Sequence, residues 1–398
     1  MAKPPFRLYL LTFQSSLTYL QTTTPKIKSQ ACDKELTFLQ VWRKISSEIK
    51  VRLKNVLRER EVIPMIIGVP KEIKNHEYRI DLTPKEVQIL SKDKHFVSVE
   101  SGAGTASGFS NDDFKKAGAL ITNQKFVWLS DIIVKVKEPL KEEYELMKPC
   151  QIIFAFFHLP ANPELKKIIC EKNIRVVPYD NIQLADGSRS VLKAMSRIAA
   201  EISVDAAAHY LRKENGGKGI LLRDAIVLII GCEGTLGKKA FDILIQRAKY
   251  IFGFDRPEKI QPVITDSYAK FSSIARLPET LKKADVVICA AAQKGEGAPK
   301  LITREMLKMM QPGSVIVDPS IDEGGCAETS RPTTHDNPIF IEEGVIHYCV
   351  SNMPGAVPRS STPALVNETL TYVLEVANKG WEKALAENPV LAQAAKID

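Results

Sequence analysis

The chain has 398 residues, 44% hydrophobic and 26% charged, which is ordinary soluble globular composition at a length of two to three domains. Its net charge of +8 sits almost entirely at one end: residues 1 to 64 hold 12 Lys and Arg against 5 Asp and Glu, the remainder 43 against 42. A body so nearly neutral carries no electrostatic footprint for nucleic acid, and no apolar run is long enough to span a bilayer.

Residues 1 to 64 form a basic extension unlike the rest. No acidic residue precedes Asp33, and Ser, Thr, Lys and Arg alternate with scattered aromatics, which resembles an organellar transit segment more than a secretory signal. Val41, Ile45, Ile49, Leu53 and Leu57 then recur every four residues with Arg43, Lys44, Lys50, Arg52, Lys54 and Arg58 between them, predicting a basic amphipathic helix. One reading is targeting to an organellar matrix or a membrane surface. The plainer one is a loosely packed extension, or a start codon upstream of Met65, on a cytoplasmic protein. Cys32, Cys150, Cys170, Cys232, Cys289, Cys326 and Cys349 are odd in number and have no C-x-x-C or finger spacing. That points to reduced thiols in a cytosol-like compartment, with no disulfide framework and no zinc.

From Met65 onward short apolar runs alternate with helical patterns, the signature of parallel α/β layers. Strands are predicted at Ile66 to Val69, Phe96 to Glu100, Asp131 to Val136, Gln151 to Phe157 and Arg175 to Pro178. Thr83-Pro84-Lys85-Glu86 is a capping box with proline in the first turn, and Asn162-Pro163 repeats the cap-then-proline device. Ser190 to Lys213 has a helical pattern without Gly or Pro, ended by Gly216-Gly217, and reads as the spacer into a second domain beginning near Ile220. Further strands are expected at Val286 to Cys289, Ser314 to Asp318 and Val345 to Val350.

The second domain opens with an apolar run, Ala225 to Ile230, that breaks into Gly231-Cys-Glu-Gly234-Thr-Leu-Gly237, and Phe254-Asp255 closes the next run. A buried parallel strand, a glycine turn into a helix N-terminus and an acid about 20 residues on are the parts that hold a dinucleotide: backbone N–H groups for the pyrophosphate, a carboxylate for the ribose. The spacing is G-x-x-G-x-x-G instead of G-x-G-x-x-G, because Glu233 is an extra residue that puts a negative charge where phosphate would lie. A plain βαβ turn is the alternative.

Ligands of open α/β sheets gather at the carboxyl ends of strands, so polar residues that directly follow apolar runs are the site candidates. Lys135 and Lys137 are expected on one side of a strand stopped by Pro139, because side chains alternate with period two. His158 follows Ile152-Ile-Phe-Ala-Phe-Phe157, Asp322 follows the run from Val315, and Arg79 follows the first strand. Singly, each has a bland reading: a boundary histidine, a helix-capping aspartate, solvated cations. Together, an arginine fork suits a carboxylate, a lysine polarises a carbonyl oxygen, and a His with an Asp relays protons. Beside a nicotinamide, that set fits hydride transfer at the α-carbon of a small amino or hydroxy acid.

Long motifs then carry a resemblance. Ile67-Gly-Val-Pro-Lys-Glu-Ile-Lys-Asn-His-Glu-Tyr-Arg79, Ser101-Gly-Ala-Gly-Thr-Ala-Ser-Gly-Phe109, Val134-Lys-Val-Lys-Glu-Pro139, Phe157-His-Leu159, Pro312-Gly-Ser-Val-Ile-Val-Asp318, Ile321-Asp-Glu-Gly-Gly-Cys326, Ser330-Arg-Pro-Thr-Thr334 and His347-Tyr-Cys-Val-Ser-Asn-Met-Pro-Gly-Ala-Val-Pro358 resemble the alanine dehydrogenases, in family order, from Met65 to about Asn388. The resemblance implies two Rossmann-like doubly wound domains joined by long helices. Residues 65–190 and 361–398 would form a discontinuous substrate domain and residues 191–360 the NAD-binding domain. It implies reversible oxidative deamination of L-alanine to pyruvate and ammonium with NAD, in a homohexamer. Arg79 and Lys137 would bind substrate, with His158 as acid/base and Asp322 assisting. Ser196, Gly231, Gly234, Thr235, Leu236, Gly237, Asp255, Ser272, Arg331, Val350, Ser351, Asn352 and Met353 would face NAD; no metal is implied.

Departures from the family pattern cluster on the cofactor side: the extra Glu233, the short passage Leu222-Arg223-Asp224-Ala225 where the family has a longer Gly- and Pro-containing connection, Ala194-Met-Ser-Arg197 for Pro-Met-Ser-Glu, and an end at Asp398. Two other readings follow: the soluble nucleotide-binding part of a nicotinamide nucleotide transhydrogenase, and a homologue without turnover. Asp255 disfavours NADP by repelling its 2′-phosphate, while neighbouring Arg256 keeps it open.

Overall fold

The computed structural model describes residues 64–256, 269–291 and 297–397; the extension with its expected basic helix lies outside them. Among the described residues the apolar runs build two sheets. The first contains β1 (Ile66–Val69), β2 (Phe96–Glu100), β3 (Leu120–Thr122), β4 (Ile132–Lys137), β5 (Ile152–Phe156) and β6 (Arg175–Pro178), in the order β3-β2-β1-β4-β5-β6. The second contains β7 (Ile226–Ile230), β8 (Tyr250–Asp255), β9 (Ala269–Ser273), β10 (Val286–Cys289), β11 (Val315–Val317), β12 (Ile339–Glu342) and β13 (Val345–Tyr348), in the order β12-β13-β11-β10-β7-β8-β9. All pairings are parallel except that of β12 with β13. Both sheets thus have doubly wound order, reversing beside β1/β4 and β7/β10, and each opens a crevice at its strands' carboxyl ends.

The strands form where both faces are covered. Ile132, Ile133, Val134, Ile153, Phe154, Leu228, Ile229 and Val287 have no solvent exposure, and full burial of such a side chain stabilises by about 1.5–3 kcal/mol. Thr83 closes the expected capping box with Glu86, which accepts the Thr83 N–H at 3.0 Å, and Asn162 caps its helix through the Leu165 N–H at 3.2 Å. The long helix Ser190–Tyr210 stops before the predicted Lys213. Val191 and Met195 near its start join the first sheet's core, while Ala200, Val204 and Ala207 join the second's. One rigid rod therefore belongs to both layers. Past the second sheet the chain returns: Leu365, Tyr372 and Val376 of Pro358–Lys379, with Ala384 and Leu391 beyond it, pack into the first core.

The return is fastened by a buried carboxylate. Asp81 accepts hydrogen bonds from the Tyr179 hydroxyl and, at 2.9 Å, from Thr369 Oγ1, tying the loop after β1 to the residue after β6 and to the returning helix. Burial pushes the Asp81 carboxyl from 3.8 up to about 8, the two hydroxyl donors opposing. Across that window the folded state keeps a proton that the unfolded state releases, so stability falls as pH rises. Asp81→Asn, neutral throughout, should flatten this slope by up to ~1.4 kcal/mol per pH unit. Urea unfolding from pH 5 to pH 8 reads it; parallel curves for the two proteins would reject the assignment.

Candidate active site

The carboxyl ends of both sheets border one cleft of about 1100 Å³. Arg79, Lys137, Phe156, His158 and Asp180 line it from the first sheet's side; Gly231, Asp255, Ala290, Ser320, Asp322 and Asn352 line it from the second's. Arg79, Lys137, His158 and Asp322, far apart in sequence, therefore face the same space. Of the residues expected near NAD, Ser196, Gly231, Gly234, Thr235, Leu236, Asp255, Val350, Asn352 and Met353 also line it, and Gly237, Ser272, Arg331 and Ser351 do not. Ser272 pairs with Phe254 inside the sheet, the Ser351 N–H donates to the Thr333 carbonyl at 3.3 Å, and the Arg331 guanidinium lies 3.9 Å above the Phe340 ring. Gly237 supports the turn from behind: a Cβ there would sit 2.2 Å from the Gly231 carbonyl oxygen.

The cationic floor consists of Arg79 and Lys137, 3% and 7% exposed. Arg79 is held by Glu77, whose Oε1 accepts from its Nε at 2.7 Å and whose Oε2 accepts from Nη2, and by Asn352 Oδ1 at 2.8 Å. Burial pushes the Glu77 carboxyl up, but the charge and hydrogen bonds of Arg79, with Asn352, outweigh it and hold it at about 2. Asn352, in the left-handed region at φ 56°, also donates its Nδ2 to Glu77 at 2.9 Å and its backbone N–H to Asp322 Oδ2 at 3.3 Å. A single asparagine after β13 thus bridges the two sides of the cleft and positions Asp322. Lys137 lies 5.7 Å from the Phe156 ring centre. Burial, then the charges of Arg79 and Lys74, push its ammonium below the usual lysine range, with Asp322 and Glu77 opposing.

The expectation that Lys135 and Lys137 share one side fails. The register of β4 against β5 shifts between Val134 and Lys137, and this bulge breaks the period-two alternation. Lys135 is enclosed instead between Glu143 at 2.6 Å and Glu72 at 3.5 Å. Burial pushes the Glu72 carboxyl up to about 7 against the pull of Lys135.

His158, two residues past the end of β5, takes φ 45°, a conformation that costs about 1–3 kcal/mol for a non-glycine residue. Asp180 Oδ2 accepts the N–H groups of Phe157 and His158, each at 3.0 Å, and so fixes the turn. The imidazole stacks on Phe156 with centroids 6.2 Å apart and 10° between planes. Asp180 Oδ1 is buried without a hydrogen-bond partner and lies 3.6 Å from His158 Nδ1. Asp180, absent from the expected site residues, follows the apolar run of β6 and so meets the criterion that picks out His158.

On the other side, Gly231 turns at φ 81° with no room for a Cβ, which would lie 2.6 Å from the Ala290 carbonyl oxygen. The extra residue does not put its charge in the cleft: the Glu233 carboxylate pairs with Lys238 at 3.0 Å, and its N–H donates to Asp255 Oδ2 at 3.1 Å. Asp255 ends β8 facing the cleft, and the helix Thr235–Leu244 begins there. A turn without room for a Cβ, a helix N-terminus and a strand-end carboxylate fit a dinucleotide. A buried group of Cys289, Asp318 and Cys326, which sequence spacing did not show, has its donor atoms within 4.8 Å of one another. Its carboxylate is taken by the Cys326 N–H at 2.7 Å and Ser330 Oγ at 2.6 Å, so it reads as loop support.

Two doubly wound sheets opening on one charged cleft define the class: a two-domain oxidoreductase with nucleotide-binding, Rossmann-type folds. Residues 68–199 match the family model "Alanine dehydrogenase/PNT, N-terminal domain" and residues 203–398 match "Alanine dehydrogenase/PNT, C-terminal domain". The chain is 43% identical to an alanine dehydrogenase of Methanococcus maripaludis over 82% of its own length and 91% of that protein's. It is 41% identical to that of Bacillus subtilis over 82% and 89%. A solved L-alanine dehydrogenase superposes with a TM-score of 0.78 at 38% identity, covering 83% of this chain and 94% of that one. A transhydrogenase from Sinorhizobium meliloti, at 23% identity and a TM-score of 0.69, shares the fold. The chain belongs to the alanine dehydrogenase/PNT family.

Proposed function

We propose that the protein is an NAD-dependent alanine dehydrogenase, converting L-alanine, water and NAD+ to pyruvate, ammonium and NADH, and the reverse. The observation that carries this reading is the convergence of two buried cations, Arg79 and Lys137, with His158 and Asp322 on one cleft. Arg79 and Lys137 bind the substrate carboxylate, Lys137 also reaching the oxygen that becomes the pyruvate carbonyl. His158 takes a proton from the substrate ammonium and passes it to solvent through its exposed face; once hydride has left the α-carbon, the neutral imidazole takes a proton from the water that adds to the iminium carbon and returns it to the departing nitrogen. Asp322, held by the Asn352 N–H, stabilises the ammonium side of these transfers. Ser196, Gly231, Gly234, Thr235, Leu236, Asp255, Val350, Asn352 and Met353 would hold NAD, which supplies the hydride acceptor when bound.

Residues 65–190 with 361–398 serve as the substrate domain and 191–360 as the cofactor domain; the shared core of the returning helices supports that division. By family resemblance the active form is a homohexamer. No helix among the described residues is long and apolar enough to cross a membrane.

The test is direct. The purified full chain, given NAD and L-alanine, should produce NADH, and pyruvate with ammonium should consume it. Glycine and serine define breadth. NADP should give at least about tenfold lower kcat/KM, because Asp255 repels the added phosphate. Absence of turnover in both directions would overturn the reading.

A further inference from the structure

We infer that Asp180 is the positioning residue of His158, fixing both its backbone turn and the proton on its ring; this rests on the proposed acid/base role of His158. The two oxygens of Asp180 have separate tasks. Oδ2 is saturated by the Phe157 and His158 N–H groups at 3.0 Å each. Oδ1 is buried, accepts nothing else and faces His158 Nδ1 at 3.6 Å. A buried carboxylate oxygen left unpaired is costly, and the ionisable group that lies beside it among the described residues is His158 Nδ1. Nδ1 therefore carries the hydrogen, and Nε2 keeps its lone pair on the other side of the ring.

A base that must accept a proton from substrate needs this tautomer fixed before substrate arrives. The stack of the imidazole on Phe156 constrains the ring plane and leaves the two nitrogens interchangeable by a flip. The bonds from Oδ2 stop the backbone of the left-handed residue from relaxing, and the contact with Oδ1 stops the flip. Asp180 also sits next to Tyr179, anchored through its hydroxyl to Asp81, so the carboxylate rides on a fixed support. It touches no reacting atom and acts through His158.

Asp180→Asn separates the tasks. The amide oxygen keeps accepting the backbone N–H groups, while the NH2 meets Nδ1, forces it to be an acceptor and moves the ring proton to Nε2. We expect kcat to fall about 10- to 100-fold, less than the roughly 10²- to 10⁴-fold of losing the acid/base outright, with KM for pyruvate changed less than about threefold. The 15N shifts of histidine-labelled protein should show His158 changing from the Nδ1–H to the Nε2–H tautomer. Asp180→Glu, which restores a carboxylate, should recover part of kcat. Introduced into the His158→Ala variant, Asp180→Asn should change residual turnover less than about twofold, as residues acting as a unit do. An equal loss in both backgrounds, or an unchanged tautomer, would overturn the inference. Were His158→Ala fully active, the acid/base reading would fall; were it inactive while Asp180→Asn kept full kcat, only the role of Asp180 would.

Discussion

His158→Ala should lower turnover of L-alanine by about 10²- to 10⁴-fold, the range expected for removal of a general acid/base. The variant is informative because so little else depends on the side chain. The His158 side chain is 45% exposed, stacks on Phe156 and approaches Asp180. The Asp180 bonds to the 157–158 backbone do not involve the imidazole, so alanine inherits the same turn. Thermal unfolding within about 2 °C of the parent protein, with the cofactor's KM unchanged, would show that the lost rate is chemical. Arg79 offers no such separation. Its guanidinium is held by Glu77, Asn352 and, at 3.1 Å, the Met195 sulfur. Truncation there leaves Glu77 a buried charge without its cation, held only through the Asn352 amide and the Arg79 backbone N–H among the described residues, so stability and activity fall together. Near-normal turnover in His158→Ala would remove that residue from the chemistry.

The parts legible in the sequence were those in which one physical requirement dominates a run of residues. A strand covered on both faces must be apolar throughout, and β1 and β10 run over the predicted residues, as do β2 and the edge strand β6, whose buried Val97, Val99, Val176 and Val177 keep a shorter signal. The missed strands β3, β9 and β12 are edges, where one side lacks a partner strand and runs such as Ala269-Lys-Phe-Ser-Ser273 lose the apolar signature. The sequence does mark one of these edges: Glu343 at φ 50° and Gly344 at φ 78° form the two-residue turn between β12 and β13, and a glycine in such a pair is the hairpin marker. Strand ends picked out Arg79, Lys137, His158 and Asp322 together with Lys135, and the cleft is lined by the first four. What spacing could not supply was side-chain direction. Glu233 turns to Lys238, Arg331 lies over Phe340, and a bulge in β4 separates two lysines that alternation would align.

Those lysines, two residues apart in Lys135-Val-Lys137, should give opposite phenotypes. Lys135→Met removes the cation between Glu143 and Glu72, 2.6 and 3.5 Å away, and leaves two carboxyls in a site without solvent. Removing one partner from a buried ion cluster costs about 3–5 kcal/mol. Glu72, pushed to about 7 by burial, limits the loss by taking up a proton. Burial lowers the affinity of Lys135 for its proton, but Glu72 and Glu143 outweigh it and raise it above 10.5. Its stabilisation is therefore fully present below pH 10.5 and lost only as pH climbs past that value. Lys137 is the reverse: its ammonium is pushed below 10.5, so at neutral pH the charge opposes folding, and relief comes as pH rises toward 10.5. Lys137→Met should unfold at the same or a higher urea concentration than the parent protein. It should also lose about 10- to 100-fold in kcat/KM for pyruvate, the equivalent of a charge-assisted hydrogen bond of ~1.5–3 kcal/mol. Urea midpoints and steady-state rates on the two variants decide the matter: a stable, inactive Lys135→Met with an unstable, active Lys137→Met would mean that the bulge has been assigned to the wrong side of the strand and that Lys135 faces the substrate.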